Sequence, residues 1–202
     1  MKKPMSKVRK IYTGVSFVLA GVQLGAYALD QLACKKAEKI AENKDNQAFT
    51  SLETSLYQHF KPIVEKELGL EGVSYVLHPH QEGHSFEPNR VLGITGPALF
   101  RNDVLVVELY RQGIAHETIF TGLGKFDLER YAMYYVNTLA HELRHVKQFA
   151  LEGYDFDSLE GTMFSKHRGV RKEVEKVAKA YGNQFARLHQ EEIKSIVSNL
   201  TK

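Results

Sequence analysis

Apolar and polar positions divide the chain into blocks of different period. The first block, Ile11 to Leu29, is a run of 19 residues without charge, and only Thr13, Ser16 and Gln23 interrupt it as strongly polar groups. About 18 apolar residues suffice to cross a bilayer as a helix, and the basic residues ahead of the run, Lys2, Lys3, Lys7, Arg9 and Lys10, favour the cytoplasmic side. The run therefore predicts an N-terminal membrane anchor. A cleaved signal segment, with Ala26 and Ala28 as its small-residue processing site, leads to the same compartment. A soluble helix packed on the domain is the third reading, supported by Gly14, Gly21 and Gly25. Cys34 is not read as a lipid attachment site, because Gln31 stands where that pattern needs an aliphatic residue.

Residues 35–46, KKAEKIAENKDN, are polar and charged, which suits a juxtamembrane linker or the solvated end of the first helix, without a packed core. From Ala48 to Leu68, Phe49, Leu52, Leu56, Phe60, Ile63 and Val64 recur at three to four residue spacing, the period of an amphipathic helix, and Gly69 and Gly72 bracket its exit. Val73 to His78, Arg90 to Thr95 and Val104 to Tyr110 are short, β-branched or aromatic, and bounded by turn formers, so each predicts a strand. Residues 114–120, IAHETIF, are a candidate fourth. Asp127 can cap a helix running to about Glu152, with Gly153 as its stop. A last long helix runs from about Gly169 to the C-terminus, with Val170, Val174, Val177, Ala178, Tyr181, Phe185 and Leu188 on one stripe. The expected fold class is α+β: N-terminal helices, a three- or four-stranded sheet, then helices. Residues 1–34 form the hydrophobic N-terminal segment, 35–46 the linker and 47–202 one folded domain.

Composition fits that division. With 202 residues, 43% hydrophobic and 25% charged, the chain can bury a core and is not disordered. The net charge is only +3, and much of the excess sits in the first ten residues, which gives a nucleic-acid role no support. The single cysteine, Cys34, excludes an intramolecular disulfide and argues against a thiolate zinc site, so a metal is expected to be held by nitrogen and oxygen ligands.

Residues 141–145 read HELRH, which puts two imidazoles at i and i+4 on one helix face, within reach of one metal ion. With three protein ligands and an open fourth position, Zn2+ brings the pKa of a water to about 7, and a carboxylate nearby can take its proton. Glu142, about 100° round the helix from His141, is placed for that task. On a helical wheel Ala132, Val136, Leu139, Leu143, Val146 and Ala150 gather on one side. His141 and His145 lie opposite with Tyr134, Asn137, Thr138 and Gln148, a polar row suited to a cleft floor or to a plain solvated face.

HELRH on a long helix behind a small sheet resembles the zincin superfamily of metallopeptidases, over residues about 47–190. Gln148 and Leu151 stand where the extended metzincin pattern has a glycine and a third histidine. The likeness is therefore to gluzincins, including compact minigluzincin-like peptidases, in which a following helix supplies a glutamate ligand. Arg144 departs from the uncharged residue common at its position in zincins, with the ligand spacing intact. The last helix offers Glu173 and Glu175, about 200° apart, so at most one can face the metal. An E-x-x-A pattern of such ligand helices picks out Glu175, followed by Ala178. The resemblance implies a zinc-dependent endopeptidase acting on a protein or peptide, with His141, His145 and Glu175 as ligands and Glu142 as general base.

Other groups have weaker patterns. His78, His80 and His84 lie in HPHQEGH, where Pro79 and Gly83 argue for a turn with solvated histidines. His167, Arg168, Tyr154 and Tyr181 are candidates for stabilising an oxyanion. Asp155 and Asp157 are alternative third ligands as well as ordinary turn formers. Val104 to Leu109 is a candidate edge for pairing with an extended substrate. Two rival functions share these residues: a membrane-tethered binding or structural protein with an inert or absent metal, and a regulatory peptidase for a single partner.

Overall fold

The computed structural model describes residues 7–42, 47–81, 91–98, 101–154 and 168–200, and side chains within them except at 7–21, 47–48, 98, 101–103 and 168–171. Its elements are α1 (Lys7–Glu42), α2 (Gln47–Leu68), β1 (Tyr75–Gln81), β2 (Gly93–Ala98), β3 (Arg101–Tyr110), α3 (Arg111–Thr121), α4 (Leu128–Ala150), α5 (Arg168–Leu188) and α6 (Gln190–Leu200). The class is α+β.

The packing is organised around α4. Asp127 caps it, its Oδ1 accepting from the Arg130 N–H at 2.7 Å, and the helix begins where the sequence places it. Tyr131, Ala132, Tyr135, Val136, Leu139, Ala140, Leu143 and Val146 are buried along it. Burying aliphatic side chains such as Val136, Leu139, Leu143 and Val146 contributes about 1.5–3 kcal/mol each. Against this stripe pack Leu52, Leu56, Phe60 and Val64 of α2, Phe185 of α5, and Ile193 and Val197 of α6. Its other face is buried too, at Thr138, Glu142, His145 and Gln148. That face is therefore not solvated.

The sheet has the order β1-β3-β2, with β1 parallel and β2 antiparallel to β3. The β-branched strand β3 is central and paired on both sides, Val107 facing Leu77 on one flank and Thr95 on the other. The expectation that Val104 to Leu109 is a free edge is thereby corrected: β1 and β2 are the edge strands, and β2 packs with β3 against α4.

Residues 114–120 form most of α3 rather than a fourth strand. Ile114, Ala115, Thr118 and Ile119 are buried at helical spacing, and this tertiary burial overrides their β-branched character. Gly113 allows the helix to start against the sheet, since a Cβ there would lie 2.0 Å from the Val91 carbonyl oxygen. The last helix is two, separated at His189. Beyond the break α6 turns to bury Ile193 and Val197, while Leu188 stays 72% exposed, off the stripe predicted for it. Val177 is partly exposed as well.

Of the two readings of residues 35–46, the end of the first helix holds as far as Glu42, but the segment does pack. Lys35 to Glu42 continues α1, Ala37 and Ala41 are buried, and the Lys36 ammonium donates to the Gly124 carbonyl at 2.8 Å. Most of the Ile11 to Leu29 run lies outside the residues with described side chains; its backbone is part of α1. Among the described residues no helix is long and apolar enough to cross a membrane.

Candidate metal centre

Two helices and one strand build the site. The spacing of four along α4 stacks His141 and His145 on one face, with their Nε2 atoms 3.0 Å apart. Helix α5 crosses beside them and brings the Glu175 Oε2 to 3.6 Å from the His141 Nε2 and 3.7 Å from the His145 Nε2. The close approach of the helices depends on Gly182, where a Cβ would lie 2.7 Å from the Asn137 carbonyl oxygen and 3.2 Å from the His141 Cβ. Asn137 and Asn183 bond side chain to side chain at the same crossing, the Asn137 Nδ2 donating at 2.6 Å.

These three atoms fit a small divalent metal. A triangle with sides of 3.0, 3.6 and 3.7 Å has a circumradius of about 2.0 Å, so a point slightly out of its plane is about 2.1 Å from all three donors, as zinc–nitrogen and zinc–oxygen bonds require. Glu175 is exposed, so the group is reached from solvent on the side of α5. Glu173 instead points outwards and pairs with Lys176 at 3.8 Å.

Gln148 orients the more buried imidazole. Its Nε2 donates to the Val174 carbonyl at 3.0 Å, so Oε1 is the end that faces His145, where it accepts from Nδ1–H at 2.8 Å. The proton on Nδ1 directs Nε2 towards His141 and Glu175. Burial pushes the His145 imidazole down, but Glu175, Glu142 and Gln148 outweigh it and hold it above its ordinary value. Burial and the neighbouring His145 push His141 down. The carboxylates thus draw positive charge to this point, where a proton on Nε2 and a metal ion compete.

Glu142 lies beside the three converging donors, outside their group: its Oε1 is 3.8 Å from the His141 Nε2. The Thr95 hydroxyl, on β2, donates to its Oε2 at 2.8 Å and lies 3.1 Å from its carbonyl oxygen. Burial pushes the Glu142 carboxyl up to about 7, against the opposing pull of His145 and Thr95. Gly93 on the same strand leaves room for it, since a Cβ there would be 2.8 Å from the Glu142 Cγ. A cavity of about 480 Å³ opens next to His141 and Glu142, lined by Gly93, Asn137, Thr138 and Lys179 among others.

The remaining candidates lie elsewhere. The Tyr181 hydroxyl donates to Glu67 of α2 at 3.0 Å, and is not among the groups gathered at the imidazoles. Tyr154 is at the surface. His78 is exposed on β1, and the His80 Nδ1 bonds to the buried Glu53 at 3.1 Å. His84, Asp155, Asp157 and His167 fall outside the described residues, as does the side chain of Arg168.

Sequence reasoning missed Thr95, Gly93 and Gly182, whose roles exist only across elements, and took Gln148 as part of a polar row. It also missed Glu53. That carboxylate accepts from the Arg111 Nε at 2.9 Å and the Tyr131 hydroxyl at 2.5 Å, a buried polar centre joining α2, α3 and α4. The signal was present: Glu53 follows Leu52 on the apolar face of α2. Compared with family models, curated proteins and solved structures, the chain matches none.

Proposed function

We propose that the protein is a zinc-dependent metallopeptidase of the zincin kind, with His141, His145 and Glu175 as ligands and Glu142 as general base. The observation that carries this reading is the convergence of Nε2, Nε2 and Oε2 from two helices at bonding distance from one point, with a second, desolvated carboxylate beside them. The likeness to gluzincins rests on the same donor set, two histidines of one helix and a glutamate of the next.

When bound, zinc supplies Lewis acidity that polarises a peptide carbonyl and lowers the pKa of water. The protein's own groups do the rest. With Oε2 of Glu142 engaged by Thr95, Oε1 is the basic atom that faces the ligands; it takes the proton of the attacking water and returns it to the leaving amine. A carboxyl whose pKa lies near the working pH serves both transfers. The cavity beside His141 receives a substrate side chain, and β2 offers backbone groups to an extended peptide. The basic N-terminus and the Ile11 to Leu29 run support a membrane-anchored, extracytoplasmic enzyme, which fractionation of the tagged full-length chain would test.

The test of the chemistry is Glu142→Gln. Hydrolysis of an unfolded protein should fall about 10²- to 10⁴-fold, the range for loss of a general base, while bound zinc stays equal to that of the parent. A variant that cleaves as fast as the parent contradicts the mechanism.

A further inference from the structure

A second convergence of donors lies away from these groups, where α1 meets α3. Asp30 and Cys34 are one turn apart on α1 and share a face. His116 of α3 is buried opposite them, its ring stacked on Phe120 at 5.9 Å between centroids. The His116 Nε2 lies 3.0 Å from the Asp30 Oδ1, and the carboxylate, thiol and imidazole donor atoms all lie within 4.8 Å of one another. We propose that Asp30, Cys34 and His116 form a second divalent-metal site that pins α1 to α3.

The construction repeats that of the first centre: two donors a turn apart on one helix, and a third from the helix packed against it. What differs is the chemistry. A thiolate, an imidazole and a carboxylate select a borderline ion such as zinc or cobalt, and the thiolate disfavours magnesium and calcium. The helix packing makes the convergence reachable. Ala33 and Ala37 are buried in the same face of α1, and such small side chains let α1 approach closely enough for the short arms of Asp30 and Cys34 to reach His116. Alanines also bury little apolar area, so a cross-link at this point adds what packing does not. Asp30 is partly exposed, which gives an ion a route in and a solvent ligand for its remaining position. Binding displaces the thiol proton of Cys34 to solvent, along with any proton shared by His116 and Asp30.

Cys34 is the only cysteine of the chain, which makes the site spectroscopically distinct from the first centre. The experiment is a titration of the reduced, full-length protein with cobalt(II), following thiolate-to-cobalt charge-transfer absorption in the near ultraviolet. The expected result is a band of equal final amplitude in the parent, complete by two equivalents of cobalt, and in His145→Ala, complete by one, and missing from Cys34→Ser. His116→Ala should weaken the titration by more than the about 10- to 100-fold that loss of an outer partner costs. Should His116→Ala lose its folded circular dichroism, Asp30→Asn carries the same comparison. A folded parent with no such band at saturating cobalt overturns the proposal. So does a band of unchanged affinity in the His116 or Asp30 variant, which would reduce the site to a lone thiol. Neither outcome bears on the peptidase reading, because His141, His145 and Glu175 supply no sulfur.

Discussion

Single side chains decide how this site holds its shape. Gln148 is not one of the three converging donors, yet its amide spans from the His145 Nδ1 to the backbone of α5 and so sets both a tautomer and a helix position. Replacing it by Ala should weaken zinc binding about 10- to 100-fold, the usual loss when a ligand's outer partner is removed; competition with a chromophoric chelator measures it, and unchanged affinity would deny Gln148 that role. Glu53 acts on stability. Burial pushes its carboxyl up, but the Arg111, His80 and Tyr131 partners outweigh burial and hold it below its ordinary value. A depressed carboxyl contributes stability in full above its unfolded value of about 4.3, and that contribution is lost as the pH falls through the lower folded value. Glu53→Gln should therefore cost about 3–5 kcal/mol at neutral pH, because it leaves the buried Arg111 without its carboxylate partner, and should flatten the fall in stability below about pH 4. Urea unfolding at several pH values reads both. That Glu53 is charged and lies on an apolar stripe is visible in the sequence; that Arg111, 58 positions away, is its partner is not.

At the scale of elements, the legible parts are those whose signals are local. The start of α4 was readable because Asp127 caps it and a 3.6-residue apolar repeat follows, and both belong to the element itself. α3 was misjudged because Ile114, Thr118 and Ile119 suit a strand locally, and only their burial makes them helical. The break at His189 was invisible for a related reason: α6 turns to reach α2, and nothing within the helix signals that partner. The crossing of α4 and α5 has a prediction of its own. Gly182→Ala places a methyl group against the backbone of Asn137, which cannot yield as a flexible side chain would. Overpacking of this kind costs about 1–3 kcal/mol. Because α5 carries Glu175, the variant should lose zinc affinity along with melting temperature. A melting temperature and an affinity equal to the parent's would mean that the two helices do not need this close contact.

Across the whole molecule, the α+β fold serves to hold three elements at one point. α4 supplies two imidazoles and the buried Glu142 carboxyl, α5 adds a second carboxylate, and β2 lays a hydroxyl and a glycine over Glu142. The motif and its spacing were plain in the sequence, whereas the choice between Glu173 and Glu175 depended on how α5 is rotated against α4, a tertiary property. The peptidase reading stands on that rotation. Its most direct measurement is the zinc content of folded Cys34→Ser protein after zinc loading and dialysis, with His145→Ala and Glu175→Ala made in the same background. The account predicts one tightly held zinc per chain, lost from both double variants. Zinc that remains at the parent level in either, or a Cys34→Ser protein that retains none, would contradict it.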